Sequence, residues 1–150
     1  MLPHGADNIS RDGKSLILAY DHGIEHGPVD FEPNPDTADP ERIFELAAHE
    51  AVTSLAVQKG LAEAYYPDYA DDVNLLLKLN GTSNLWRGEP DSAVNCTPEY
   101  AAELGADAIG FTVYGGSNHE VEMAEEFRTA QEGAREHDMG VVMWSYPRGQ

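Results

Sequence analysis

Five short apolar runs recur along this chain, at 15–20, 53–58, 73–79, 107–113 and 141–144, with helical stretches between them. Each has the length of a buried strand rather than a helix. A helix over 40–50 is opened by Asp39 as cap and Pro40 as first residue. Its apolar face is Ile43, Phe44, Ala47 and Ala48. A shorter helix at 61–66 stops before Pro67, and another opens at Thr97-Pro98 and ends at Gly105. A last helix follows a Ser117/Glu120 capping box and repeats apolar residues at Val121, Ala124, Phe127, Ala130 and Ala134. Strands alternating with helices impose parallel pairing through right-handed crossovers. An open doubly wound sheet and a closed eight-stranded barrel both meet that condition. Polar clusters follow the C-terminal ends of all five runs, which favours the barrel, whose sites collect at that end. A closed barrel takes roughly 200 residues or more, so 150 residues hold about five of its eight units. The expected fold is an incomplete (β/α)8 TIM barrel, with 1–150 as the N-terminal part of a single barrel domain. Such a segment is a truncated barrel or a half that needs a partner.

The densest polar cluster follows the first run. Asp21, His22, Glu25 and His26 sit within six residues of the stretch Leu-Ala-Tyr-Asp-His-Gly-Ile-Glu-His-Gly-Pro. Ionisable groups are costly near an interior unless something uses them. The loop that follows carries Pro33, Pro35 and Pro40, which forbid a helix interior or a central strand there. It is long enough to fold over the end of the first strand. His22-Gly-Ile-Glu25-His26 spells H-x-x-E-H, an inverted zinc-protease pattern. That pattern works only on a helix, and Gly23 and Gly27-Pro28 argue against one. The same groups suit polar recognition of a substrate, with Asp21 accepting from a hydroxyl and the histidines binding hydroxyls or a phosphate.

Lys59 and Lys78 lie at or near the ends of the second and third runs. A buried amine with a lowered pKa can form a Schiff base, but a structural or binding role, with an acidic partner inside the barrel or a route to solvent, is the favoured assignment for each lysine. Gly115-Gly116-Ser117 before a helix could hold an anion or simply make a turn. The second dense cluster is Trp144-Ser-Tyr146-Pro-Arg148-Gly149. Tyr146 can donate and accept a proton, given a nearby cation to lower its ordinary pKa of ~10. Arg148 suits a phosphate, and Trp144 supplies an apolar wall. At one end of a barrel, Tyr146 and Arg148 would share a bowl with Asp21.

Together with Leu-Lys-Leu-Asn-Gly and Asp-Ala-Ile-Gly-Phe-Thr-Val-Tyr-Gly-Gly-Ser, the two clusters resemble the archaeal type of class I fructose-bisphosphate aldolase. The resemblance covers nearly the whole chain. It implies reversible cleavage of fructose 1,6-bisphosphate to dihydroxyacetone phosphate and glyceraldehyde 3-phosphate. A lysine iminium acts as electron sink in place of a metal, with no cofactor. It further implies Tyr146 as general acid/base and Asp21 at the catalytic centre. His22, His26, Asp30 and Lys59 would line the substrate site, and Trp144 and Arg148 would hold the sugar chain and one phosphate. The family's Schiff-base lysine belongs to the sixth barrel strand and its other phosphate loops follow the seventh and eighth, all beyond Gln150. Neither Lys59 nor Lys78 matches that position, so this polypeptide alone is expected to have little or no activity. A related aldolase for another phosphorylated ketose, or a non-catalytic half-barrel that binds sugar phosphate or other chains, is the alternative. The family resemblance also implies a homo-oligomer.

Charge narrows the surroundings. Asp and Glu number 27 against 9 Lys and Arg, a net charge of −18 spread along the chain. Such a surface repels nucleic acid and anionic membranes. One cysteine, Cys96, excludes an internal disulfide. No apolar run approaches the ~20 residues of a membrane span, and no signal-type segment opens the chain. A cytoplasmic location is expected, and a high-salt cytoplasm would explain the acidity. The midpoint of thermal unfolding should then rise with added KCl; a midpoint that stays level or falls across a KCl series would remove that reading.

Overall fold

The computed structural model describes residues 4–148. The strands and helices are β1 (Ile17–Ala19), α1 (Pro40–Ala47), β2 (Ser54–Gln58), α2 (Lys59–Tyr65), β3 (Leu75–Lys78), β4 (Asn80–Gly81), β5 (Ala93–Val94), α3 (Pro98–Glu103), β6 (Ala108–Gly115), α4 (Glu120–Glu136) and β7 (Gly140–Pro147). Five of the strands form one sheet in the order β1-β2-β3-β6-β7, every pair parallel. The order never reverses. A doubly wound sheet has a reversal point, whereas a barrel wall does not. This is a curled, incomplete barrel wall, as the strand–helix alternation predicts. No helix among the described residues is long and apolar enough to cross a membrane.

Caps form where short polar residues precede proline. The Asp39 carboxylate accepts from the Glu41 amide at 3.1 Å, and the Thr97 hydroxyl from the Tyr100 amide at 3.3 Å. The expected Ser117/Glu120 capping box does not form: α4 opens after His119, which makes no side-chain capping bond, and Ser117 and Glu120 brace the turn before it instead. The Ser117 hydroxyl accepts from the His119 amide at 3.2 Å, and the Glu120 carboxylate from the Gly116 amide at 2.7 Å.

Because side chains alternate along a strand, pairing decides which residues share a face. Ala19, Ala56, Leu76, Ala108 and Gly140 form one cross-sheet row, and Gln58, Lys78, Gly110 and Val142 the next. Thr112 with Trp144, and Tyr114 with Tyr146, continue the same concave face. The convex face carries Leu55, Val57, Leu75, Leu77, Ile109 and Phe111, all buried against the helices with Phe44, Ala101, Ala130 and Ala134. The concave rows are small near β6. A Cβ on Gly110 would stand 2.5 Å from the Trp144 ring and 2.7 Å from Leu76.

The N-terminal lead-in closes the lower end of the sheet. Ile9 is buried against Ala56, Leu76 and Ala108. The Asn8 amide donates to the carbonyls of Asp107 at 3.3 Å and Asp138 at 3.0 Å, beside the starts of β6 and β7.

Several elements run past the sequence expectation, among them α2, which opens at Lys59, and β6, which reaches Gly115. β7 runs to Pro147 rather than stopping near Trp144, because β6 offers it eight consecutive partners, from Ala108↔Gly140 to Gly115↔Pro147. Tyr146 therefore stands on a strand, not in a loop, and Arg148 follows directly. Gly149, the last residue of that motif, lies outside the described residues. The polar segment 82–95 is also not wholly irregular: β4 and β5 pair antiparallel at its ends and pinch it into a loop. Substituting Gly110→Ala should cost about 1–3 kcal/mol, as overpacking against an aromatic ring usually does. Urea unfolding checks this, and a neutral result would mean that the Trp144 ring moves freely.

Candidate active site

Asp21 lies two residues beyond Ala19, at the upper end of β1. Gly23 adopts a left-handed φ of 93°, a conformation glycine takes without strain. The amides of Glu25 and His26 then return to the Asp21 carbonyl at 3.1 and 3.3 Å. This turn brings Glu25 back over the sheet. On β3, Lys78 alternates in phase with Leu76, so its ammonium also points into the concave side. There Lys78 Nζ donates to Glu25 Oε1 at 2.7 Å and to Asp21 Oδ1 at 3.1 Å. The Lys78 side chain is 1% exposed, and Nζ stands 5.4 Å from the centroid of the Trp144 ring.

Burial alone would favour the neutral amine. Hydrogen bonding to Glu25 and the charges of Asp21 and Glu25 outweigh it, and the Lys78 pKa is held above the usual lysine value. Burial likewise raises the Glu25 carboxyl against the opposing pull of Lys78, with the Asp21 charge adding to the rise. The two directions have different causes: the carboxylates raise the lysine, and burial raises the glutamic acid. The alkaline consequence has a definite sign. The Lys78 pairing contributes stability fully below the ordinary lysine range and loses it as pH rises through the raised folded value.

Above this triad, Asp21, Glu25, His26, Tyr114, Tyr146 and Arg148 line a cleft of about 230 Å³, with Thr82 and Asn84 at its edge. The Tyr146 ring centroid is 6.1 Å from that of Tyr114, and the Arg148 guanidinium carbon is 5.4 Å from the Tyr146 ring. Burial, assisted by the Glu25 charge, holds the Tyr114 phenol above its ordinary pKa, so it is a hydrogen-bond donor at neutral pH. Trp144, half-buried beside Lys78, forms a wall of the same concave side.

The expected site residues thus divide. Asp21, His26, Trp144, Tyr146 and Arg148 converge. Asp30 reaches the group through His26, whose Nδ1 lies 3.3 Å from its carboxylate. His22 and Lys59 face a neighbouring cleft of about 420 Å³, shared with Tyr20, Gln58 and Asn95. The His22 ring packs 5.3 Å from Tyr20 and 5.5 Å from Phe31, and its Nδ1 is buried without a hydrogen-bond partner. The H-x-x-E-H spelling lies on a turn rather than a helix, and its glutamate is turned to Lys78.

The sequence names Lys78, with an acidic partner inside the barrel as one account of it, and Glu25 in the polar cluster, but it does not pair them, and it misses Asn80. Alternation along 73–79 was the available signal for Lys78, since it places a cation on the same face as Leu76. Asn80 reads as half of a turn dipeptide but is fully buried. Its side chain donates to the carbonyls of Thr112 at 2.8 Å and Ser92 at 3.2 Å, and accepts from the Thr112 amide at 2.8 Å. It ties the base of the 82–92 loop to β6. Replacing Lys78 by Met leaves two poorly solvated carboxylates without their cation. A loss of about 3–5 kcal/mol is expected in denaturant unfolding, and a loss below about 1 kcal/mol would rank the triad with surface pairs.

Comparison with known proteins points one way. The model of the DeoC/LacD family aldolases matches residues 15–150. A class 1 fructose-bisphosphate aldolase of Halobacterium salinarum is 73% identical over 150 residues, covering 100% of this chain and 57% of the relative. That of Thermoproteus tenax is 51% identical over 140 residues, covering 93% of this chain and 52% of the relative. A solved archaeal fructose-1,6-bisphosphate aldolase, with its catalytic lysine bound to the carbinolamine intermediate, superposes with a TM-score of 0.88 at 50% identity. The match covers 95% of this chain and 56% of that one. The chain spans a little over half the length of the relatives it matches.

Proposed function

This chain belongs to the DeoC/LacD aldolase family, and from that premise we propose that it is the N-terminal wall of a single-domain class I fructose-bisphosphate aldolase barrel. The observation that carries the proposal is the convergence of Asp21, Lys78, Trp144 and Tyr146 on one concave face, at the end of the strands where barrel sites form. In the proposed reaction a lysine amine condenses with the ketose C2 carbonyl and releases water. The C3–C4 bond then breaks, its electron pair flows to the iminium nitrogen, and the C4 hydroxyl proton passes to a base. An aldehyde leaves, the enamine takes a proton back at C3, and water hydrolyses the iminium so formed, freeing the ketone product and the lysine amine.

Tyr146 is the group proposed to move protons, with the Arg148 guanidinium carbon 5.4 Å from its ring. Asp21 would orient a substrate hydroxyl from its fixed position on Lys78. His26, with Asp30 behind it, would bind a hydroxyl or phosphate, and Arg148 a phosphate. Trp144 would pack against the carbon chain. His22 and Lys59 fit this scheme less directly, at the neighbouring cleft.

None of the three lysines, Lys14, Lys59 and Lys78, suits the nucleophile. An attacking amine must be unprotonated, and Lys78 is held charged by two carboxylates. Lys59 is exposed on the other cleft. Lys14 sits in an exposed turn bridged to Arg11, below β1. The resemblance assigns the nucleophile to a sixth strand beyond Gln150.

Borohydride reduction of this chain with dihydroxyacetone phosphate, read by mass spectrometry, should give no adduct on Lys59 or Lys78. A stable adduct on either would overturn the assignment of the nucleophile. In a polypeptide carrying the complete barrel, Tyr146→Phe should lower kcat by roughly 100-fold or more while the iminium still forms. An unchanged kcat would remove Tyr146 from the proton path.

A further inference from the structure

Three tyrosines are buried among the described residues: Tyr20, Tyr66 and Tyr114. A buried phenol is costly unless its hydroxyl is bonded. The Tyr20 hydroxyl donates to the Thr37 carbonyl at 2.7 Å, and that of Tyr66 to the Gly105 carbonyl at 3.3 Å. Tyr114 differs. The residue is 9% exposed, yet among the described residues its hydroxyl has no hydrogen-bond partner, and the oxygen is not sealed from solvent. It lines the cleft that holds Asp21 and Tyr146, and also an adjoining cleft of about 370 Å³. Packing against Tyr146 needs only the ring, so the hydroxyl is surplus to the fold.

Register fixes where along the site this hydroxyl lies. β6 and β7 pair Tyr114 with Tyr146, and the ring centroids are 6.1 Å apart. The Arg148 amide donates to the Gly115 carbonyl at 2.9 Å, which carries the same pairing one step further. Tyr114 thus stands alongside the stretch from Tyr146 to Arg148. In the proposed reaction Tyr146 takes the proton of the C4 hydroxyl, and Arg148, two residues on, holds a phosphate. In the departing aldehyde half, the C5 hydroxyl lies between those two groups. Asp21 is engaged by Lys78 and His26 by Asp30, which leaves the Tyr114 phenol as an uncommitted donor beside it. Burial, with the Glu25 charge added, keeps that phenol protonated against weaker pulls from Lys78 and Arg148.

We infer that Tyr114 is a specificity-determining residue: its hydroxyl donates to the hydroxyl next to the aldehyde carbon of the departing fragment, so that the site selects a 2-hydroxyaldehyde phosphate over its deoxy analogue. This rests on the proposed aldolase reading. A site arranged to bond a substrate hydroxyl rejects an analogue without it, because the protein group is then left unpaired.

The test is aldol synthesis by a polypeptide carrying the complete barrel. The donor is dihydroxyacetone phosphate, and the acceptor is glyceraldehyde 3-phosphate or 3-phosphooxypropanal, which lacks only the C2 hydroxyl. The wild type should favour glyceraldehyde 3-phosphate in kcat/KM by about 100-fold or more. In Tyr114→Phe the preference should shrink to about fivefold or less, through a fall with glyceraldehyde 3-phosphate alone. Borohydride should still trap the dihydroxyacetone phosphate iminium in that variant. A purely structural role would slow both aldehydes alike and leave the preference in place, and that result overturns the inference. So does a wild type that uses the two aldehydes equally well, whatever the variant does. A complete barrel that makes no fructose 1,6-bisphosphate removes the aldolase reading itself, whereas an active one with an unmoved preference removes only the role of Tyr114.

Discussion

A single buried ammonium holds this molecule's upper surface together. Lys78 has almost no contact with water, and desolvating it is costly unless the charge is matched closely. Asp21 and Glu25 supply the match from a loop more than fifty residues away in sequence. The bond is therefore also a tether between β1 and β3, two strands that are not neighbours in the sheet. Without it, the loop from Asp21 to His26 would be a glycine-containing turn with solvent on most sides. With it, Asp21 occupies a fixed place beside Trp144 and below Tyr146.

The cluster also separates two roles that lysine can play at a carbonyl-handling site. A nucleophilic amine needs an environment that expels its proton. Lys78 has the reverse: burial opposes its charge, but two carboxylates more than compensate. Its contribution is a fixed positive field and a scaffold, and it leaves the covalent step to another residue.

Much of the architecture is legible in the residue pattern. The caps at Asp39 and Thr97, the apolar face of α1 at Ile43, Phe44 and Ala47 and the succession of parallel strands follow from local chemistry that acts over a few residues, whereas on α4 Met123 is buried and the expected Val121 and Ala124 are exposed. What was not legible depended on partners far away. The length of β7 is decided by β6, which carries pairing as far as Pro147. Asn80 looks like a turn residue until Thr112 and Ser92 surround it. Glu25 sits in a motif that spells a metal ligand set, and its real neighbour is a lysine on another strand. Of the residues expected to gather, Asp21 and His26 were identifiable because they follow the end of β1, and Trp144, Tyr146 and Arg148 because they cluster in one motif at the upper end of β7. The convergence of Tyr114 was not, because its place beside Tyr146 is set by the pairing of β6 with β7.

The closure under the sheet by Ile9 and Asn8 has a consequence for the order of events during synthesis. Asn8 bonds to the carbonyl of Asp138, a separation of 130 residues. This segment is thus among the last of the described residues to complete its contacts, since its bond to Asp138 exists only once the chain has reached the approach to β7. Contacts of such separation are slow to form and expose apolar surface meanwhile. Ile9 cannot find its full packing surface, the row formed by Ala56, Leu76 and Ala108, until translation has passed the start of β6. A ribosome paused before that point would hold a nascent chain with an open lower face, and chaperone capture there would be a matter of timing rather than of sequence hydrophobicity.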